Sequence, residues 1–209
     1  MLKLHHLDYS RSHRVLWLLE ELGLPYELVR YPRTADFHAP EALKRVHPLG
    51  KSPVLEDGDL QLSESSAILR YLNQRYGEGR FAPEPGTATW AHHEEWLDFV
   101  EASAWSPVLI LIFGKQGDVG VLEPHGKPEL DKVLGYLSEH LRDKRYIVDD
   151  RLTLADIQLS YLGAMLAMAG VLDRYPLFKA YFEGLRQLPG CQRAEAKGGK
   201  MLPDGLSFG

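Results

Sequence analysis

The sequence is poor in cysteine, in long apolar runs and in excess positive charge, and each shortage excludes a class of protein. Its 209 residues include one cysteine, Cys191, which excludes internal disulfides, zinc sites built from several thiolates and paired-cysteine redox motifs. Unbroken apolar runs, such as residues 15–19 and 108–113, are no longer than six residues, far short of the roughly 18 residues of a membrane span. A net charge of −5, from 24 basic and 29 acidic residues, argues against a nucleic-acid partner. No signal peptide is recognisable at the start of the chain, so we expect a cytoplasmic protein with neither a membrane nor a nucleic acid as partner.

The pattern of apolar residues changes part-way along the chain and predicts two domains. Residues 1–76 alternate between short β-capable runs and amphipathic helical segments in the order β-α-β-α-β-β-α. Residues 77–87 are rich in glycine and proline and predict a linker. Residues 88–209 have helical periodicity almost throughout, and we expect an all-helical domain with an irregular end after residue 197. The helices predicted in this half cover 90–113, 128–141, 153–169, 176–188 and a short piece near 191–196.

The first candidate site is the predicted strand-to-helix turn at residues 6–14. A helix N-terminus offers backbone N–H groups and the positive end of a dipole, which favour an anion such as a thiolate. A hydroxyl from Ser10 or Ser12 would add one hydrogen bond to that anion. The alternative is that both serines are plain N-caps, and capping preferences favour this when the turn is considered alone.

The second candidate site is Ser52-Pro53 at the start of a predicted strand. A cis bond there would turn the backbone of Ser52 outward, where it could pair with an extended peptide. The alternative is an ordinary trans proline, which strand starts tolerate.

The third candidate site is Glu64-Ser65 at the start of a predicted helix. The hydroxyl and N–H of Ser65 can bind a carboxylate, and Glu64 can pair with an ammonium group. Together these are the two charged groups of an amino acid. The alternative is a helix cap followed by an acid in the first turn.

Two further patterns predict structure and no chemistry. Thr153 and Asp156 stand three residues apart before an apolar run, as in a capping box with aspartate in place of glutamate. The nine histidines include two adjacent pairs, but none has the spacing of a metal site, so we expect no metal.

The order and spacing of these motifs resemble the cytosolic glutathione transferases over nearly the whole chain. The closest likeness is to serine-type bacterial and fungal members with a Ser-Arg-x-x-Arg turn. The motifs that carry the resemblance are LDYSRSHR at 7–14, HPLGKSPVL at 47–55, ESSAI at 64–68 and LTLAD at 152–156. The resemblance implies a thioredoxin-like N-terminal domain, an all-α C-terminal domain and a homodimer.

The resemblance also implies a role for each site residue. Ser10 would be the catalytic hydroxyl facing the sulfur of glutathione, with the adjacent Tyr9 as a rival donor. The turn contains no cysteine, which argues against the cysteine-type classes. Glutathione itself, the co-substrate, would be held by Lys51, Ser52, Pro53, Glu64, Ser65 and His47.

The activity implied is nucleophilic attack by the glutathione thiolate on a small hydrophobic electrophile or a hydroperoxide. The electrophile would lie in an apolar pocket between the Ser10 turn and the first long helix of the C-terminal half. Its predicted lining is Tyr9, Trp105, Leu109 and Phe113. Two alternatives stay open at this point: a non-catalytic transferase-like binding or assembly module, and a glutathione-dependent isomerase or peroxidase.

Overall fold

Two compact units make up the chain, and the last helix of the sequence returns to the first of them. The structure is a computed structural model that describes residues 1–117 and 119–203. The first unit combines Met1–Arg80 with Leu188–Met201, and the second is built on Phe81–Gln187.

The first unit contains a four-stranded mixed sheet in the order β2-β1-β3-β4. Strand β1 pairs in parallel with β2 and antiparallel with β3, which in turn pairs antiparallel with β4. The predicted order of elements is confirmed, although the middle helix is only a 3-10 turn at Glu41–Arg45. The bounds are β1 Leu2–Leu7, α1 Ser12–Leu22, β2 Tyr26–Tyr31, β3 Val54–Asp57, β4 Leu60–Ser63 and α2 Ser65–Tyr76.

Helix α1 contains a run of five consecutive apolar residues, which places apolar side chains on every side of the helix and favours its burial. The residues from Val15 to Leu19 are fully buried. The helix ends at Gly23, which has a φ of 66° and donates its N–H to the carbonyl of Leu19. Glycine takes this left-handed conformation without a Cβ clash, so Gly23, the first glycine in the chain, marks the end of this helix in the sequence.

Helix α8, Pro189–Gly198, packs on α1, whereas the sequence assigned it to the helical domain and expected an irregular segment from residue 197. A Cβ at Gly190 would stand 2.1 Å from the Glu21 side chain, and one at Gly198 would stand 2.3 Å from Leu16. The two glycines therefore let the helices approach closely. Apolar periodicity does not reveal such a contact, and residues 204–209 of the predicted irregular end lie outside the described residues.

The second unit is helical in all its regular elements among the described residues, as predicted. Its central helix α6 is buried on nearly every side, which fits a helix that is apolar all round. Helix α6 contacts α3, α4 and α7, and α5 contacts α4 and α7. The bounds are α3 Ala88–Phe99, α4 Trp105–Gln116, α5 Glu123–His140, α6 Leu154–Met168 and α7 Pro176–Arg186, with 3-10 turns at Gly120–Leu122 and Leu172–Arg174.

The helix predicted over residues 90–113 is divided by a π-helical turn at Val100–Ala104. By length and composition alone, the 28-residue segment Ala88–Lys115 could cross a membrane, and 39% of its most apolar window is buried. Core helices of soluble proteins meet the same criteria. Val100, Ala104, Val108 and Ile112 are buried at intervals of four residues, as on the packed face of a core helix. We therefore interpret the segment as part of the core of the second unit.

Candidate active site

The turn between β1 and α1 is fixed by the guanidinium of Arg33. Its Nε donates to the carbonyl of Asp8 at 2.9 Å, and a terminal nitrogen donates to the carbonyl of Tyr9 at 3.0 Å. Tyr9 has a φ of 53°, in the left-handed region that a residue with a side chain seldom adopts. Its ring stacks on Phe37 with the centroids 5.9 Å apart. These contacts hold a strained residue in place and so fix the position of Ser10, which follows it.

The start of α1 has one of the two serine caps that the sequence favoured, from Ser10. The N-cap position belongs to Arg11, whose side chain makes no capping hydrogen bond. The N–H of Ser12 donates to Ser10 Oγ at 3.2 Å, and the N–H of His13 donates to the Ser10 carbonyl at 3.1 Å. Ser10 Oγ thus accepts a backbone N–H two residues on, as an N-cap oxygen does, whereas Ser12 is the first residue of the helix. Both of these backbone N–H groups already have acceptors. A ligand at this turn meets the Ser10 hydroxyl rather than a row of free N–H groups.

A chain of buried hydrogen bonds runs behind Ser10. Ser10 Oγ lies 2.7 Å from Ser12 Oγ, which lies 2.9 Å from His6 Nδ1. His6 Nε2 lies 3.1 Å from the carbonyl oxygen of Gly198 in α8. Three residues contribute side chains to this chain, and they are 6% exposed for Ser10, 0% for Ser12 and 2% for His6.

The protonation state of His6 follows from its surroundings. Burial lowers the pKa of His6 below its ordinary value, so the imidazole is neutral. A carbonyl oxygen can only accept, so Nε2 carries the hydrogen and donates to Gly198. Nδ1 is then an acceptor, and the hydroxyl of Ser12 is placed to donate to it.

The loop before β3 has the cis Ser52–Pro53 bond that the sequence hypothesised. The hydroxyl of Ser52 donates to the carbonyl of His5 at 2.7 Å and accepts from the N–H of Leu7 at 3.1 Å. The side chain thus ties the loop to β1. Any pairing with a peptide ligand falls to the backbone of Ser52, as the sequence argument required.

The two basic residues predicted to reach a ligand carboxylate stand beside this loop. Lys51 is exposed. His47 is half-buried, and its Nδ1 accepts a long hydrogen bond of 3.4 Å from the N–H of Leu49. Their assignment to glutathione stays a prediction.

The start of α2 is an uncapped helix N-terminus with a buried positive charge behind it. Glu64 precedes the helix with a φ of 70°, no side chain caps the helix, and no acid occupies its first turn. The hydroxyl of Ser65 accepts from a terminal nitrogen of Arg14 at 3.1 Å. Both side chains are buried, with Ser65 4% exposed and Arg14 0% exposed. The alternative of a capped helix with a first-turn acid is therefore wrong, and the arrangement favours a carboxylate at this point.

Within residues 1–117 and 119–203, no three histidine, cysteine, aspartate or glutamate side chains gather in a way that could hold a metal ion. The histidine pairs have other partners: His5 faces Glu56 at 2.9 Å, and His92 and His93 each face a glutamate of their own helix at 3.0 Å.

Comparison with family models covers most of both units. The model described as the glutathione S-transferase N-terminal domain matches residues 1–74, and the one described as the C-terminal domain matches residues 109–189. The chain belongs to the glutathione S-transferase family. Its activity is that of a glutathione transferase, and its fold is the thioredoxin-like and all-helical pair that the sequence predicted.

Individual relatives agree with this assignment over nearly the full length. Glutathione S-transferase 3 of Schizosaccharomyces pombe is 32% identical, over 94% of this chain and 88% of the relative. Glutathione S-transferase 1 of Saccharomyces cerevisiae is 34% identical, over 77% of this chain and 79% of the relative. A crystal structure of a glutathione S-transferase from Actinobacillus pleuropneumoniae is 38% identical, covers 99% of both chains and has a TM-score of 0.88.

The predicted electrophile pocket of this glutathione S-transferase draws residues from both units. Tyr9 lies in the first unit, half-buried against Phe37. In the second unit, Trp105 is 8% exposed and stacks on Tyr161, whereas Phe113 is 54% exposed. Leu109 is half-buried on the same helix as Phe113. The pocket itself stays a prediction.

Sequence analysis missed three residues that shape the site: His6, Arg14 and Arg33. Arg14 had a signal, because it is the last residue of the Ser-Arg-x-x-Arg turn that begins at Ser10, but nothing in the sequence indicated that it lies behind Ser65. His6 precedes the turn in a strand whose period does not show which neighbour it meets. Arg33 lies in a segment without periodicity, so only the structure reveals its two carbonyl partners.

The capping box predicted at Thr153 and Asp156 is confirmed. The N–H and the hydroxyl of Thr153 both donate to the Asp156 carboxylate, at 2.8 and 2.9 Å. The same carboxylate accepts from the N–H of Ile147 and from the hydroxyl of Tyr181. Burial raises the pKa of Asp156, and these four hydrogen bonds oppose that rise. All of these partners hold the start of α6 in place, which agrees with the prediction that Thr153 and Asp156 are structural residues.

Proposed function

We propose that the first unit binds glutathione between the Ser10 turn and the start of α2 and activates its thiol for attack on a small apolar electrophile. The observation that carries the proposal is the uncapped N-terminus of α2, where the Ser65 hydroxyl is backed by the buried guanidinium of Arg14. A carboxylate placed there would complete the hydrogen bonds of the helix start and face a buried positive charge.

The γ-glutamyl end of glutathione has the charges that this position calls for. Its carboxylate would accept from Ser65, and its ammonium would pair with the exposed carboxylate of Glu64. The cysteinyl part would pair with the backbone of Ser52 beside the cis Pro53. The basic residues Lys51 and His47 would then bind the carboxylate of the glycyl end.

The Ser10 hydroxyl would donate a hydrogen bond to the sulfur, which favours the thiolate over the thiol. The thiolate forms a carbon–sulfur bond with the electrophile, and the electrophile either releases its leaving group or takes up a proton. Positioning and the lowered thiol pKa are the contributions of the protein. This assigns the chain to the serine-type members of the family.

Several finer assignments belong to this proposal. The electrophile would be held by Tyr9, Trp105, Leu109 and Phe113, and the protein would act as a cytoplasmic homodimer. Reduction of hydroperoxides by the same thiolate is a second predicted activity that no contact in the site favours over conjugation.

The decisive experiment titrates the thiol of bound glutathione by its ultraviolet thiolate absorbance in Ser10→Ala and in Tyr9→Phe. Ser10→Ala is expected to raise the thiol pKa by about one unit, which corresponds to about 1.4 kcal/mol. Turnover at neutral pH should fall and should partly recover at alkaline pH, while glutathione affinity stays nearly constant. Tyr9→Phe removes the rival hydroxyl and keeps the ring that stacks on Phe37. A shift in Tyr9→Phe with none in Ser10→Ala would transfer the role to Tyr9.

A further inference from the structure

The buried chain from Ser10 to Gly198 contains two side chains, Ser12 and His6, that glutathione binding does not require. It begins at the proposed sulfur-facing hydroxyl and ends at a backbone carbonyl inside the first unit. Ser10 is only 6% exposed, and the two groups behind it are more deeply buried. A proton that leaves the glutathione thiol through Ser10 therefore enters the protein before it enters water.

The hydrogen positions in the ligand-free protein run in one direction. His6 Nε2 donates to Gly198, so His6 Nδ1 accepts from Ser12 Oγ. The carbonyl of Leu7 lies 3.2 Å from Ser12 Oγ and is a second acceptor for its hydrogen, but Nδ1 of His6 is closer, at 2.9 Å. Because the one hydrogen of the Ser12 hydroxyl is donated to one of these two acceptors, Ser12 Oγ accepts from Ser10 Oγ across 2.7 Å. Ser10 Oγ accepts the backbone N–H of Ser12 and keeps a second lone pair for an incoming donor.

We propose that His6 accepts the proton of the glutathione thiol through the hydroxyls of Ser10 and Ser12. The inference rests on the proposed role of Ser10 opposite the sulfur. His6 touches no substrate in this scheme and acts as a positioning residue through the two serines.

The transfer balances at every atom. The S–H bond breaks as its proton passes to Ser10 Oγ, the hydrogen of Ser10 passes to Ser12 Oγ, and the hydrogen of Ser12 passes to His6 Nδ1. Three bonds to hydrogen break and three form. The products are a thiolate and an imidazolium, so the net charge is unchanged. The hydrogen bonds between His6 Nδ1, Ser12 and Ser10 have then reversed, while the bond from His6 Nε2 to Gly198 keeps its direction. Ser10 now donates to the thiolate that it helped to form.

The surroundings of His6 suit a proton that stays only while the thiolate is present. The charged groups that face it are Asp8 and Arg30, which pair with each other at 2.6 Å. Ser12 from α1 and Gly198 from α8 are neutral, and the carbonyl of Gly198 accepts from Nε2 in either state. Burial disfavours the isolated imidazolium, whereas a thiolate at the other end of the chain favours it.

The first test observes the imidazole nitrogens of His6 by NMR in protein labelled at histidine with nitrogen-15. Comparison with His6→Gln identifies the His6 signals among those of the nine histidines. We expect the neutral Nε2–H tautomer in the free protein and with S-methylglutathione, which has no thiol proton. With glutathione, at a pH where the thiolate absorbs, we expect the imidazolium. A neutral His6 in all three samples would overturn the proposal, and this measurement on the wild-type protein needs no variant to fold.

The second test interrupts the chain in Ser12→Ala, which keeps the backbone N–H that donates to Ser10. The thiol of bound glutathione should titrate about one pH unit higher, and kcat at neutral pH should fall about tenfold while KM for glutathione stays constant. The matched control is Ser160→Ala, which removes a buried serine hydroxyl in the second unit that donates to the carbonyl of Ile157. The control should leave the titration unchanged.

The role of Ser10 and the proton relay to His6 can be disproved independently of each other. If Ser10→Ala leaves the thiol titration unchanged, the proposed role of Ser10 is wrong. If Ser10→Ala shifts it while Ser12→Ala does not and His6 stays neutral, the role of Ser10 stands and the relay is wrong.

Discussion

The guanidinium of Arg14 donates to the hydroxyl of Ser65 at 3.1 Å, and both side chains are buried. Arg14 belongs to α1, two residues after Ser12, and Ser65 is the first residue of α2. One hydrogen bond therefore joins α1, which follows the proposed sulfur-facing Ser10, to α2, whose start is the proposed carboxylate site. Because the Ser65 hydroxyl accepts from Arg14, its own hydrogen is directed to another acceptor.

We predict that Glu64→Ala and Ser65→Ala each weaken glutathione binding by about 1.5–3 kcal/mol, the range for a hydrogen bond to a charged group. Calorimetry with glutathione measures the loss directly. Ser63→Ala, one residue before Glu64 and outside the proposed contacts, is the control. Unchanged affinity in both variants would remove the site assignment.

We predict that Thr153 serves folding and not catalysis. Thr153→Ala should lower the free energy of unfolding by about 0.5–2 kcal/mol through the lost cap. Asp156→Asn should cost more, because an amide cannot accept all four of the hydrogen bonds that reach this carboxylate. Turnover per folded molecule should survive in Thr153→Ala. A variant that melts like the wild type but has lost turnover would contradict this interpretation.

We predict that Glu20 makes the packing of α8 on α1 sensitive to acid. Burial raises the pKa of Glu20, but hydrogen bonds from Lys197 at 2.6 Å and Tyr26 at 2.5 Å outweigh it and hold the pKa below 4.5. Because the folded-state pKa is lowered, the stabilisation is present above the unfolded value of 4.5 and is lost as the pH falls through the folded value.

Glu20→Gln should therefore lower the free energy of unfolding by about 1–2 kcal/mol at neutral pH, since its cationic partners are half-exposed. The difference from the wild type should shrink as the pH is lowered to about 3. Urea unfolding at several pH values measures both quantities. Glu183→Gln on the exposed face of α7 is the control, expected to change stability by less than about 0.5 kcal/mol. A gap that grows on acidification would show that the sign is wrong.

We predict a homodimer, with light scattering at micromolar concentration giving twice the 23.7 kDa of one chain. A charge complement between two chains would join Arg70 and Arg75 of α2 to acidic residues of the helical unit, which are Glu94 and Glu95 of α3 and Glu101 of the π-helical turn. In the structure, Glu94 and Glu95 contact His93 and His92 of their own helix, so these carboxylates already have partners within one chain. We therefore expect the association to depend only weakly on salt. A mass of one chain would refute the dimer.

The sequence predicted the order of elements and the end of α1, because these depend on apolar period and on glycine. It also located the start of α2 and the cis-proline loop, because those motifs are local and contiguous. It did not predict that α8 returns to the first unit, since the signal is the absence of side chains at Gly190 and Gly198. The partners of His6 and Arg14 escaped it for a similar reason: Gly198 and Ser65 are distant in sequence, and only the packing of helices brings them near.

The return of α8 to the first unit has a consequence for how the enzyme is made. The carbonyl that His6 meets belongs to residue 198, whereas the sheet and the Ser10 turn are encoded in the first 80 residues. During synthesis, the ribosome must therefore translate the whole helical unit before the first unit can close over His6. A nascent chain that has released only its first 80 residues contains all four strand segments but lacks the helix that packs on α1. Folding of the glutathione-binding half is thus timed by the completion of the other half.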